Sequence, residues 1–564
     1  MIAQSSHRVL IIGLDGATWD VLAPWMNQGH LPNLSRLRDT GCWGNLRSSI
    51  PPITAAAWTT FMTGKKPGKH GMFHFIEIFD SDGLKDDKAK IVNARNIKSP
   101  TLWDILGHHN RKVVLINIPM TYPPRPVNGV MITCFLTPRN APVFTYPPEL
   151  SKQLTDYIID LDRFIDTKPF HGRGISREAA APTLALVDEF RDMMDKRAKT
   201  SLSLMASRPW DLFMVVFIGT DRMGHYLWPF HRDPTPEDSP EVQQLCEAVR
   251  NYYIRLDQIM GELVESAGED VSTLVMSDHG MGLRYSKRLH CNNWLQQHGW
   301  LSTKRDGAGS LSPDSWIRRL GLPRDKIGRI VYRIPGLARS QLVEAATKRR
   351  SASVDEEKSQ AYCVPMYNHV MGIRINANGE QKETLRHQIM HELEKIVDPE
   401  TGAKVVQQVI KGEDYYYGPY ALNSPDIIVM MQPDYECSAE LGTYSSVITK
   451  LQVAPTRGGH RLEGIFMASG PQIVANPEPL TDLDIEDVAP TVLHLMDLPV
   501  PNDMDGRVLT EILPPTSFEA RPIHRAEPVG FWPDVDQAVF DVDTMTDEDE
   551  EKIRERLQAL GYLE

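Results

Sequence analysis

The stretch that decides the fold is VLIIGLDG, residues 9–16, an apolar run that ends directly in Asp15. So short and unbroken a run reads as a strand buried on both faces, the kind found in parallel sheets covered by helices. The pattern returns at Val113 to Ile118, Leu212 to Ile218, Leu274 to Met276 and Ile465 to Ala468. Between these runs, Asp20 to Asn27, Pro32 to Arg38 and Ala179 to Met205 carry helical spacing. Alternation of strands and helices predicts an α/β sandwich around a mostly parallel sheet.

In open sheets of this class, ligands bind beyond the carboxyl ends of the strands. Here those positions are acidic or imidazole-bearing. Asp15 follows the first run, TDRMGH (Asp221, His225) the run at 212–218, and SDHGM (Asp278, His279) the run at 274–276. A fourth loop, GGHRLEG, carries His460 just ahead of a strand. Taken singly, each has a plain explanation, because an Asp after a strand is usually a turn or helix cap. Together they describe one cleft lined by mixed Asp and His. Such a set suits Zn, Mn or Fe better than Mg or Ca, since neutral imidazoles favour transition ions while carboxylates offset the charge. Two divalent ions held side by side are a known device for displacement at phosphorus.

The nucleophile candidate lies in SIPPITAAAWTTFMTGKKPGKHG, residues 49–71. Pro51 and Pro52 impose an extended entry, and Ala55 to Met62 are good helix material, which predicts Thr54 at a helix N-cap. The unpaired amides and positive end of such a helix favour a bound phosphate and the alkoxide form of the hydroxyl. Thr59, Thr60 and Thr63 fall within or behind that helix and are read as structural.

The composition excludes other classes. With 61 Lys and Arg against 74 Asp and Glu, the net charge of −13 speaks against nucleic-acid binding over the whole surface. Hydrophobic residues at 41% and charged residues at 24% are ordinary for a globular chain. Six scattered cysteines, without a CxxC pair, argue against a zinc finger or disulfide scaffold and for a reducing compartment. The apolar run at 9–14 is too short for a signal peptide or a membrane span, which leads to the expectation of a cytoplasmic protein.

A chain of 564 residues exceeds one simple core. The expected organisation is a catalytic core over 1–300 with an insertion at 137–174, a basic helical insertion or cap over 301–356, the rest of the core over 357–515, and a tail over 516–564. From Lys304 to Arg350 there are twelve Lys or Arg against four Asp or Glu. That segment is either a solvated basic surface or one facing an anion or a membrane. In the tail, Thr546 ahead of the acidic run 547–550, with Gly561 beyond, spells a capped helix of structural purpose.

These motifs together resemble the type I phosphodiesterase and nucleotide pyrophosphatase group of the alkaline phosphatase superfamily. LDG, LPNLSRL, PPITAAAWTTFMTG with KHG, TDRMGH, SDHGM, GGHRLEGIFMASGP and DVAPTVLHLMDLPVPNDMDG occur in that family's order across most of the chain. The resemblance implies an alkaline-phosphatase-like three-layer α/β/α sandwich with inserted caps. It implies one ion held by Asp15, Thr54, Asp278 and His279, a second held by Asp221, His225 and His460, and a phospho-enzyme on Thr54. It further implies a small phosphorylated substrate, nucleotides included. The chain departs from the family at Ala57, where an Asn that holds a phosphoryl oxygen is expected; Lys69, Arg222 or a basic residue of 301–356 are the substitutes on offer. Alternatives are a phosphomonoesterase or phosphonate hydrolase on the same scaffold and, more remotely, a non-catalytic binding protein retaining the fold. Oligomeric state has no signal in the sequence.

Overall fold

A computed structural model describes residues 7–77, 90–161, 170–171, 174–304, 354–441 apart from 368 and 423, 446–451, 458–515, 521–533 and 545–562 apart from 560. Most of the basic segment at 301–356 lies outside the described residues, as do parts of 137–174. The chain divides into two compact units, one of residues 1–284, 416–423 and 454–564, the other of residues 285–415 and 424–453.

The first unit is built on a nine-stranded sheet. In chain order its strands are Arg8–Leu14 (β1), Cys42–Arg47 (β2), Val113–Ile116 (β3), Gly129–Ile132 (β4), Thr145–Tyr146 (β5), Leu212–Phe217 (β6) and Val271–Met276 (β7). After Gly280–Leu283 (β8) and Gly458–Arg461 (β9), which form a separate antiparallel ribbon, come Glu463–Ser469 (β10) and Leu480–Asp484 (β11). The order across the sheet is β11-β2-β10-β7-β1-β6-β3-β4-β5. β1 lies parallel between β6 and β7, and its residues Val9 to Ile12 are fully buried, as a strand covered on both faces requires.

Two strands run against the rest, β5 at one edge and β10 in the interior. Because β10 is antiparallel to its neighbour β7, its amino end lies at the edge of the sheet where β1, β6 and β7 end. The strand expected over Val113 to Ile118 stops at Ile116, since Asn117 takes a left-handed φ of 56°. The segment from 137 contributes β5, so its first part belongs to the sheet.

The helices match the sequence spacing with slightly longer ends: Trp19–Asn27 (α1), Pro32–Thr40 (α2), Thr54–Thr63 (α3), Arg177–Ser207 (α4), Gly219–Leu227 (α5), Pro240–Ala267 (α6) and Asp547–Ala559 (α7). Leu31 cannot cap α2, and Asp257 of α6 does it instead, accepting from the amides of Asn33 and Leu34 at 3.1 and 2.8 Å. Thr54 is the first residue of α3, while the capping position falls on Ile53, in extended conformation. Among the described residues, no helix is long and apolar enough to cross a membrane. All six cysteines are free thiols.

The second unit has its own core, including Trp294, Ile373, Ile389, Leu393 and Val429. A four-stranded antiparallel sheet, in the order Ala361–Tyr367, Val370–Ile375, Ile427–Met431 and Val406–Lys411, carries the helix Gly379–Leu393. Lys287–His290 pairs with Tyr435–Ser438 and Ile448–Lys450 in a smaller sheet.

Candidate metal centre

Asp15, Thr54, Asp221, His225, Asp278, His279 and His460 all belong to the first unit, and the structure brings all seven together. Asp15 leaves the end of β1, Asp278 follows β7 by two residues, and Asp221 and His225 sit four residues apart on one face of α5 just after β6. His460, on β9, arrives ahead of β10, and the reversed direction of β10 is what lets a residue preceding a strand meet residues that follow strands. Each of the seven is buried, with Asp15, Thr54, Asp221, Asp278, His279 and His460 at 0% exposure.

Two groups have ligand-type atoms within 4.8 Å of one another: Asp15, Asp278 and His279, and Asp221, His279 and His460. His225 adjoins the second, its Nε2 lying 3.2 Å from Asp221 Oδ1 and 2.9 Å from His460 Nε2. His279 stands between the groups, stacked on His460 at a ring separation of 3.5 Å. Its Nε2 is 3.3 Å from Thr54 Oγ1.

The donor set fits cations on two counts. Asp15 Oδ1, Asp221 Oδ1 and Asp278 Oδ2 are buried and accept no hydrogen bond among the described residues, an expensive arrangement unless the oxygens face a positive charge. Their sister oxygens are each held in place. Asp15 Oδ2 accepts from Trp58 Nε1 at 2.9 Å, Asp278 Oδ1 from the Gly16 amide at 3.1 Å, and Asp221 Oδ2 from the Tyr562 hydroxyl at 2.7 Å. The imidazoles are oriented likewise. His279 Nδ1 lies 3.1 Å from Gly280 O and His460 Nδ1 lies 2.8 Å from Pro52 O. A carbonyl only accepts, so Nδ1 carries the hydrogen and the Nε2 lone pair is left for the centre.

The electrostatics follow from crowding. Burial and the neighbouring Asp278 and Asp221 push Asp15 well above the usual carboxylate range, and burial with Asp221 does the same to Asp278. Burial would raise Asp221 too, but His225 and His460 pull it well below. Burial pushes His460 down to about 4, and burial together with His460 lowers His279. Asp15 and Asp278 raised and His279 and His460 lowered are the directions expected of crowded, buried groups in a cluster that only protein charges face, with Asp221 the exception held down by its two imidazoles.

Two glycines make the assembly possible. A Cβ on Gly13 would come within 2.6 Å of Trp58 Cη2, so the indole that holds Asp15 needs glycine in β1. Gly16 has φ +65°, and its close approach to Asp221 lets its amide reach Asp278.

Of the basic residues offered as substitutes for the missing Asn, Lys69 binds the Asp505 carboxylate at 2.5 Å and the Asp503 carbonyl. Arg222 is buried, pairs with Asp160 at 2.9 Å and Asp221 at 3.2 Å, and lies over the Phe135 ring. Ala57 is fully buried in α3. Two participants escaped the sequence reading. Trp58 was legible only as helix material, although its place four residues after Thr54 puts it on the nucleophile's face. Tyr562 lay in a tail read as structural, where Gly561 marked the end of a capped helix and gave no sign of what the next residue would touch.

The family model for type I phosphodiesterase / nucleotide pyrophosphatase matches residues 9–446. No match was found among the curated proteins. Phosphonoacetate hydrolase from Sinorhizobium meliloti 1021, solved in complex with phosphonoacetate, superposes with a TM-score of 0.50 at 13% identity, covering 87% of this chain and 95% of that one. Human ectonucleotide pyrophosphatase/phosphodiesterase 5 gives a TM-score of 0.47 at 14% identity over 90% and 99% of the two chains. At 13% identity the likeness to the phosphonoacetate hydrolase is one of fold alone.

Proposed function

This chain belongs to the type I phosphodiesterase/nucleotide pyrophosphatase family, and is thus a phosphoric ester hydrolase; we propose that it cleaves a small phosphodiester or pyrophosphate, nucleotides included, through Thr54 at a centre for two divalent ions. The observation that carries this reading is the gathering of three aspartates, each with a buried oxygen that accepts no hydrogen bond among the described residues, around His279, whose Nε2 lies 3.3 Å from Thr54 Oγ1. Asp15, Thr54, Asp278 and His279 would hold one ion, and Asp221, His225 and His460 the other, with Zn favoured over Mn or Fe by the imidazole share. When bound, such ions activate the nucleophile and neutralise charge on the phosphoryl oxygens.

The protein's own part is then to position. Ala57 N–H closes on Ile53 O at 2.9 Å, so the amides before it stand at the start of α3 without i−4 partners and are donors for a phosphoryl group. Thr54 Oγ1 forms a bond to phosphorus as the bond to the leaving oxygen breaks. The hydroxyl proton passes to solvent and the leaving oxygen takes one up. Water then divides across the phosphothreonine bond, its hydroxyl going to phosphorus and its hydrogen to Oγ1, which releases a phosphomonoester or phosphate.

A second reading, a phosphomonoesterase or phosphonate hydrolase, is favoured by one observation: Ala57 offers no polar group where diester-cleaving relatives are expected to have Asn. A cytoplasmic location belongs to the same proposal, supported by cysteines that are scattered and free.

The test is metal analysis of the purified chain joined to turnover of bis-p-nitrophenyl phosphate and p-nitrophenyl phosphate, with Thr54→Ala as the control. Two transition ions per chain, a preference for the diester and loss of turnover in Thr54→Ala are expected. Full activity in that variant would overturn the mechanism, and a preference for the monoester would establish the second reading.

A further inference from the structure

The feature that the proposed mechanism leaves unused is Tyr562. It lies more than ninety residues beyond the last of the seven site residues, yet it is 2% exposed and its hydroxyl reaches the middle of the centre. It donates to Asp221 Oδ2 at 2.7 Å and stands 3.5 Å from Thr54 Oγ1. Its ring meets those of His225 and His460 edge-on, at 5.3 and 5.4 Å.

The placement is built rather than incidental. Thr546 and Asp549 close a reciprocal cap at the start of α7, with Asp549 N–H on Thr546 Oγ1 at 3.1 Å and Thr546 Oγ1 on the Asp549 carboxylate at 2.7 Å. The helix docks through Ile553, Leu557 and Arg556, whose guanidinium donates to the Phe135 carbonyl at 2.5 Å. At its end Gly561 takes φ +80°, and Tyr562 N–H bonds back to Leu557 O at 2.9 Å. That left-handed turn reverses the chain and drives the tyrosine inward, where it packs on Phe75 at 5.0 Å.

We infer that Tyr562 is a positioning residue of the centre: its hydroxyl, the closer of two donors to Asp221 Oδ2, with Arg222 the other at 3.2 Å, fixes the carboxylate so that Oδ1 faces the ion while Oδ2 is occupied. The inference rests on the two-ion reading above. The geometry is that of an outer partner to a ligating carboxylate, a role whose loss weakens ion binding roughly 10- to 100-fold. Edge-on packing against His225 and His460 would orient two more ligands of the same ion, so the ring and the hydroxyl make separable contributions.

The experiment strips the full chain of metal and titrates it with zinc alone against a competing chelator, for the wild type, Tyr562→Phe and Tyr562→Leu, with thermal unfolding and kcat and KM for bis-p-nitrophenyl phosphate alongside. The expected result is weaker binding of one of two zinc ions in Tyr562→Phe, by ten- to a hundredfold. Its unfolding midpoint should stay near that of the wild type, and turnover should recover as zinc is raised. Tyr562→Leu should lose more. Equal zinc affinities in wild type and Tyr562→Phe would overturn the role of Tyr562, as would faster turnover in the variant, which would make the tyrosine a plug. A wild type that takes up no zinc would instead overturn the reading of the centre itself.

Discussion

Replacing Trp58 with Phe tests how much of the centre depends on a buried residue outside the seven. Trp58 is fully buried and donates through Nε1 to Asp15 Oδ2 at 2.9 Å. Phe keeps an aromatic ring but has no donor, so Asp15 loses the bond that holds one oxygen away from the ion. A hydrogen bond to a charged group contributes about 1.5–3 kcal/mol, which is roughly a factor of ten to a hundred in ion affinity. Asp15 already sits well above the usual range because of burial, Asp278 and Asp221, and the indole, with the Arg222 charge behind it, opposes them. Without it Asp15 holds its proton more tightly, so the pH at which zinc is taken up must rise. The smaller ring also leaves a void, which costs about 1–3 kcal/mol of folding stability. Zinc titration across pH, with denaturant unfolding beside it, separates the two effects. A variant that is destabilised but binds zinc with wild-type affinity and pH dependence would refute the claim that the indole sets the ligand, and would leave it a packing residue.

Two further outcomes follow from the same geometry. Gly16→Ala forces a Cβ onto a φ of +65° and to 3.2 Å from Asp221 Cα; it should lower stability by about 1–2 kcal/mol and reduce turnover, and an unchanged urea midpoint would contradict it. Burial, with Asp484 nearby, pushes Glu486 from 4.5 up to about 7. A raised acid stabilises the fold below about pH 4.5 and loses that contribution as pH climbs through 7, a difference of about 3 kcal/mol at most. Glu486→Gln should therefore gain on the wild type in unfolding midpoint between pH 4.5 and 8, and parallel pH profiles would refute the assignment.

What the sequence revealed, it revealed through local rules. An apolar run with an acid close behind it marks a buried strand with a candidate site residue near its end, and β1, β6 and β7 each fit that description. His460 resisted that rule because β10 runs the other way, and direction within a sheet is decided by pairing partners, which a linear reading does not contain. Thr54 landed one position inside its helix instead of on the cap, a difference set by the extended backbone of Ile53. Tyr562 and Trp58 were missed for a common reason. Their roles are contacts at sequence separations of 341 and 43 residues, and neither residue type signals such a partner by itself.

The position of β10 also governs when the enzyme can come into being. Among the described residues β2, which leads toward the helix of Thr54, pairs only with β10 and β11, so during synthesis these partners are lacking until residues beyond 462 have been made. Contacts of such sequence separation form slowly, because a long loop must close before they reward the chain. Thr54 and the aspartates and histidines around it therefore meet late, so that on the two-ion reading proposed above a half-made chain would have no competent centre.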